Sequence, residues 1–175
     1  MNYFELFGIP VTLQVEAQIL KQRYYELGKR FYPDMHAGAG SEVQAAMLEK
    51  WLAVTAGYKI LRDANERLRH ILEQHGTIAP GEKMQLPEHF ILEMTDLTEH
   101  IAALETDPDE KAYGILKSAL DAAEEELEED AQPVLNGYEY TNTDEDILEA
   151  LKFFYFKKKY FLQINKRLST FASRN

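Results

Sequence analysis

Apolar side chains recur every three or four residues through most of this chain, and no stretch alternates apolar with polar for long. That spacing puts one buried stripe on each of a series of helices, so the fold class is all-α. Breakers decide where the helices end, and Pro33 is the most constraining of them. Its ring forbids helix continuation and drives Tyr32 to extended geometry. Phe31-Tyr32-Pro33-Asp34 therefore closes one long amphipathic helix, with the stripe Ala17, Leu20, Tyr24, Leu27 and Phe31. It then opens a polar loop from Met35 to Ser41. Asp34 is held out at the reversal, where its carboxylate can cap a backbone or meet a cation on a partner.

Before that helix, Tyr3, Phe4, Leu6 and Phe7 form a short apolar turn ended by Gly8 and Pro10, and Thr12 offers a cap. A second long helix is expected from Ser41-Glu42, with the stripe Met47, Trp51, Val54, Tyr58 and Leu61. Two such helices on a short loop must run roughly antiparallel to bury both stripes. Leu68, Ile71 and Leu72 continue the pattern in a shorter segment ending at His75-Gly76. Thr77 to Gln85, with Pro80 and Gly81, reads as a joint. After Pro87 a helix carries Phe90, Met94, Leu97, Ile101 and Leu104, and Asp107-Pro108 is expected to start the next one. That helix has Tyr113, Leu116, Leu120, Ala123 and Leu127 in register. Gln132 to Thr143 reads as a long loop, and a final helix from about Asp144 carries Ile147, Leu151, Phe154, Phe161 and Leu168. The expected parts are residues 1–76, a linker at 77–86 and a helical bundle at 87–175.

With 45% apolar residues the chain can build a core. A net charge of −11 argues against a nucleic-acid binder, since phosphate neutralisation needs a basic footprint. The absence of cysteine excludes disulfides, thiolate metal sites and cysteine nucleophiles. Met1 to Pro10 lack a signal-peptide pattern, and no apolar run approaches membrane-spanning length, so the expectation is a soluble cytoplasmic protein. His36, His70, His75, His89 and His100 show no metal-binding spacing, so neither a metal nor a cofactor is expected. The lack of a phosphate loop, nucleophile elbow or converging acid/base pair argues against an enzyme. Lys21, Arg23, Lys29 and Arg30 make a local basic surface that, on its own, reads as a solvated helix face. Glu124 to Asp130 reads as a solvated helix end that opposes the dipole and frays. Phe153, Phe156 and Tyr160 fall off the last helix's stripe. Either that helix is buried on two sides, or these rings form an apolar partner patch rimmed by Lys157, Lys158 and Lys159.

These residues resemble a J domain. Tyr3-Phe4-Glu5-Leu6-Phe7-Gly8-Ile9-Pro10 is similar to that family's opening helix and turn, and Ile19 to Phe31 to its basic second helix. Tyr32-Pro33-Asp34 stands where the family has His-Pro-Asp, and Tyr58, Leu61, Asp63 and Arg67 repeat the spacing of its third helix and the turn beyond. Phe4 to Gly8, Arg67 to Gly76 and Pro87 to Met94 further resemble the HscB type, co-chaperones of iron–sulfur cluster biogenesis. The resemblance implies an N-terminal J-domain helical hairpin followed by a C-terminal three-helix bundle. It implies that Lys21, Arg23, Tyr25, Lys29, Arg30, Tyr32, Pro33 and Asp34 dock on an HscA- or DnaK-type chaperone and stimulate its ATP hydrolysis. It also implies that Ile91, Leu92, Thr95, Asp96, Glu99 and Phe153 hold an IscU-type scaffold. The departure is Tyr32, whose phenol replaces two ring nitrogens and does not titrate near neutrality. Three readings stay open: a partner adapted to tyrosine, weak activation, or an adaptor that binds without stimulating.

Overall fold

A computed structural model describes residues 1–83 and 86–172, with side chains through residue 170. Met84 and Gln85 of the expected linker, and residues 173–175 of the expected bundle, lie outside the described residues. The chain forms α1 (Tyr3–Phe7), α2 (Ala17–Phe31), a 3₁₀ turn (Pro33–His36), α3 (Ser41–Arg62), α4 (Ala64–Gln74), α5 (Glu88–Thr106), α6 (Glu110–Gly137) and α7 (Glu145–Ala172). No strand occurs among the described residues, and the all-α class holds. Two units separate: Met1–Thr77 with Glu139–Asn142, and Ile78–Tyr138 with Thr143–Asn175.

In the first unit the Asn2 side chain accepts the amides of Phe4 and Glu5, which starts α1. Gly8, at φ 61°, ends it in the left-handed conformation that suits glycine. The buried rings of Phe4 and Phe7 anchor α1. Gly57 of α3 makes room for it, because a Cβ there would stand 2.7 Å from the Tyr3 ring and 2.9 Å from Phe7. Helix α3 packs back on α2, burying Leu20, Phe31, Val54 and Leu61. Asp63 caps α4 through the Glu66 amide at 2.9 Å.

His70 of α4 is nearly buried, and its Nε2 faces the Tyr3 amide at 3.3 Å and the Gln74 side-chain amide at 2.7 Å. Both neighbours donate, so this nitrogen must be unprotonated. Burial pushes the imidazole below its ordinary value. A histidine depressed in the folded state contributes stability that is complete above its unfolded pKa of about 6.5 and is lost as pH falls through the folded value. Melting temperature is therefore expected to fall below pH 6.5, and His75, also depressed by burial, adds in the same direction. His70→Gln cannot charge and should flatten this acid limb. An unchanged slope in that variant would assign the limb to other groups.

The second unit is built on Phe90, Met94, Ile101, Leu104, Leu116, Leu120, Phe161, Ile164 and Leu168. Three sequence expectations are corrected here. Thr12 does not cap α2; its hydroxyl accepts the Gln14 amide at 3.1 Å, while Glu16 stands at the N-cap without a side-chain bond. Asp107 closes α5, and Asp109 caps α6 instead, taking the amides of Lys111 and Ala112. A single carboxylate two residues on, with free amides in front of it, outcompetes the Asp-Pro signal.

The third correction is the long loop. Helix α6 runs through Pro133 to Gly137. Proline removes the donor for the Glu129 carbonyl, but Glu129 and Pro133 are exposed, so burial adds no penalty. Ala131 is buried just before it, and the half-buried Val134 and Leu135 carry the stripe beyond it. The acidic run is consequently mid-helix, and the dipole argument for fraying lapses. Lys158 of α7 bonds Glu128 and, at 2.7 Å, Glu124, which also accepts Asn165 at 2.7 Å. Burial opposes the Lys158 charge, but its hydrogen bonds to Glu124 and Glu128 outweigh that and hold its pKa above the usual lysine value. Part of the run thus fastens α6 to α7.

Candidate functional surfaces

In the first unit, α2 ends by handing the chain to the tyrosine–proline–aspartate turn. The Tyr32 amide donates to the Gly28 carbonyl at 2.8 Å, and its backbone is extended at φ −60°, ψ 129°. Pro33 occupies the first position of the 3₁₀ turn, where its missing N–H costs nothing. The Met35 amide returns to the Tyr32 carbonyl at 3.1 Å, and His36 Nε2 bonds the Arg30 carbonyl at 2.9 Å. Four local bonds or restraints thus hold the reversal. Asp34 is exposed, and no ion pair or hydrogen bond holds its carboxylate among the described residues. A fixed backbone therefore carries a free anion.

The basic side chains line α2 and are all exposed. Arg23 is partly used, bonding Glu26 at 3.0 Å. Hydrogen bonds from Gln22 and Arg23 hold the Glu26 carboxyl below its ordinary value. Arg30 lies 5.1 Å from the Phe31 ring centroid, and Lys21 lies 6.0 Å from that of Tyr25, which is itself exposed. Lys29 has no ion pair among the described residues. Tyr32 is half-exposed and meets Trp51 of α3 edge-on, with centroids 5.3 Å apart at 87°. The stripe pattern assigns Trp51 to the helix interface only. Its contact with Tyr32 joins positions far apart in sequence and has no local signal.

In the second unit, Ile91, Leu92, Thr95, Asp96 and Glu99 all lie on the exposed side of α5. Leu92 is the most exposed apolar one, at 60%. The off-stripe aromatics of α7 divide. Phe156 is buried and Tyr160 is half-buried, edge-on to Phe90 at 5.9 Å, so neither belongs to an exposed patch. Phe153 is 37% exposed. It lines an open cleft of about 300 Å³ between α6 and α7, together with Leu127, Ala131, Val134 and Phe154. Of the expected lysine rim, Lys158 is bound to glutamates and Lys157 sits 5.4 Å from the Phe90 centroid, while Lys159 is exposed, 5.8 Å from the Tyr155 centroid. Among the described residues no His, Asp or Glu cluster could hold a metal ion, and no helix is long and apolar enough to cross a membrane.

A helical hairpin with an exposed turn after a basic helix, and a three-helix bundle, make up an all-α architecture. No family model matches the chain, but a Vibrio campbellii protein described as "Co-chaperone protein HscB homolog" is 30% identical over 139 residues, covering 74% of this chain and 81% of that one. The chain belongs to the HscB co-chaperone family. A Vibrio atlanticus relative of the same description is 28% identical over 141 residues, 75% of this chain and 82% of its own. Two solved structures share the fold. Human co-chaperone HscB gives a TM-score of 0.80 at 22% identity, covering 97% of this chain and 81% of that one. HscB from Vibrio cholerae gives 0.78 at 21%, covering 99% of both.

Proposed function

We propose that the first unit docks on an HscA- or DnaK-type chaperone and stimulates its ATP hydrolysis, while the second holds an IscU-type iron–sulfur scaffold and delivers it. The observation that carries the reading is the free Asp34 carboxylate on a restrained turn, beside the exposed basic face of α2. Lys21, Lys29 and Arg30, with Arg23 partly engaged, supply long-range attraction to an acidic chaperone surface. Such attraction chiefly raises association rate and specificity. Tyr25 adds an exposed ring to the same helix. On the second unit, Ile91, Leu92 and Phe153 offer apolar anchors, and Thr95, Asp96 and Glu99 supply a polar rim. The reading assigns no catalytic step to this chain; hydrolysis belongs to the chaperone.

The test is steady-state ATP hydrolysis by the cognate chaperone, titrated with this protein and with the scaffold present or absent. Stimulation is expected, and Lys29→Glu with Arg30→Glu should raise the half-maximal concentration most strongly at low salt. Leu92→Ala and Phe153→Ala should each weaken scaffold binding about fivefold or more, as buried anchors do, without changing stimulation by the chain alone. A second reading, an adaptor that binds without stimulating, is favoured by Tyr32. Silence in the wild type with gain in Tyr32→His would establish it.

A further inference from the structure

Four aromatic rings run along the α2–α3 interface toward the turn. Tyr58 stacks on Tyr24 at 4.4 Å, Tyr24 meets Trp51 at 5.6 Å, and Trp51 meets Tyr32 at 5.3 Å. The indole also lies against α2 at Gly28, where an added Cβ would stand 3.5 Å from it. Gly28 is the residue whose carbonyl receives the Tyr32 amide. Tyr32 is therefore held twice at one place: by its backbone on Gly28, and by its ring on the indole that rests there. The tyrosine and the tryptophan make sense as a pair.

We propose that Trp51 is a positioning residue for the Tyr32-Pro33-Asp34 turn, fixing the Tyr32 ring and with it the conformation in which the turn docks on the chaperone. The proposal rests on the co-chaperone reading and deepens it. Freed from the indole, the Tyr32 side chain spreads over other rotamers and only a fraction of molecules present the docking conformation. A ligand binding that fraction shows a weaker apparent affinity but an unchanged plateau at saturation. Loss of an edge-on aromatic pair corresponds to about two- to tenfold in such an equilibrium.

The experiment titrates the full chain into the cognate chaperone and reads half-maximal concentration and plateau separately. Trp51→Leu keeps an apolar side chain and removes the ring; it should raise the half-maximal concentration about two- to tenfold with the plateau unchanged. Trp51→Phe retains a ring and should restore most of the loss. In a Tyr32→Leu background, Trp51→Leu should add nothing, because the pair acts as a unit. In a Tyr32→Phe background, which keeps the ring edge, Trp51→Leu should still raise the half-maximal concentration about two- to tenfold, and Trp51→Phe carries the same comparison if Trp51→Leu folds poorly. Wild-type stimulation with no effect of Trp51→Leu, or an equal effect without the Tyr32 ring, overturns the positioning role alone. So does Trp51→Leu adding nothing in the Tyr32→Phe background. No stimulation by wild type overturns the co-chaperone reading and this proposal with it.

Discussion

Asp34→Asn is expected to lower the plateau of stimulated ATP hydrolysis by about tenfold or more, the scale of a lost hydrogen bond to a charged group. The substitution is nearly isosteric. Asparagine suits a turn as well as aspartate does, and Asp34 is exposed, with no bond of its own to the rest of the chain. Fold and melting temperature should stay as they are. What changes is the charge, and charge-assisted hydrogen bonds are roughly twice as strong as neutral ones. Because the carboxylate is free here, all of its bonding capacity is left for a partner. The effect belongs in the plateau, since a group that triggers hydrolysis acts after docking. Charge reversal on α2 belongs in the half-maximal concentration and its salt dependence. Stimulation curves resolve the two, and an unchanged plateau in Asp34→Asn would remove the turn from the mechanism.

The contrast between these residues and Trp51 shows what a sequence makes legible. Helix spacing and the Pro33 breaker are local, so the stripes of α2, α3 and α5 and the position of Asp34 could be read directly, except that Ala17, at the start of α2, is exposed. Exposure of Lys21, Lys29 and Arg30 follows from their places flanking or opposite the stripe. Errors arose where two local signals competed. Pro133 is a strong breaker in isolation, yet packing of Ala131 and Val134 carries α6 past it. Asp107-Pro108 looks like a start, yet Asp109 has the free amides in reach. The remaining gaps are non-local. Nothing in the order of residues says that Lys158 closes on Glu124 and Glu128, which turns an apparent solvated run into an interhelical fastening. Nor could the off-stripe position of Phe153 and Phe156 decide which ring is exposed; only the packing of α7 separates them.

Arg67→Met is expected to destabilise the first unit by about 2–4 kcal/mol, the cost of leaving buried acceptors without their donors. Arg67 is only 8% exposed. Its Nε donates to the Leu13 carbonyl at 2.9 Å and its guanidinium Nη1 to the Leu61 carbonyl at 2.5 Å. Leu61 sits in the last turn of α3, where carbonyls lack partners within the helix, and it is fully buried. One side chain thus satisfies the end of α3 and pins the segment before α2. Burial pushes the guanidinium below its ordinary value, opposed by nearby Asp63, but arginine stays charged at any ordinary pH. Methionine preserves the apolar stem and removes the donors, which isolates the hydrogen bonds from the packing. Lysine keeps the charge but lacks the rigid fork, so Arg67→Lys should recover only part of the loss. Urea unfolding followed through Trp51, the single tryptophan, reports on this unit. The midpoint should fall with the slope unchanged, since folded and unfolded surfaces stay alike. Domains have only about 5–15 kcal/mol in hand, so a loss of this size should be plain in the midpoint. Stimulation measured well below the transition should be preserved, because Arg67 makes its bonds to Leu13 and Leu61 and not to the turn. A midpoint within experimental error of wild type would mean that solvent replaces both bonds and that the corner of α3 and α4 holds by packing alone.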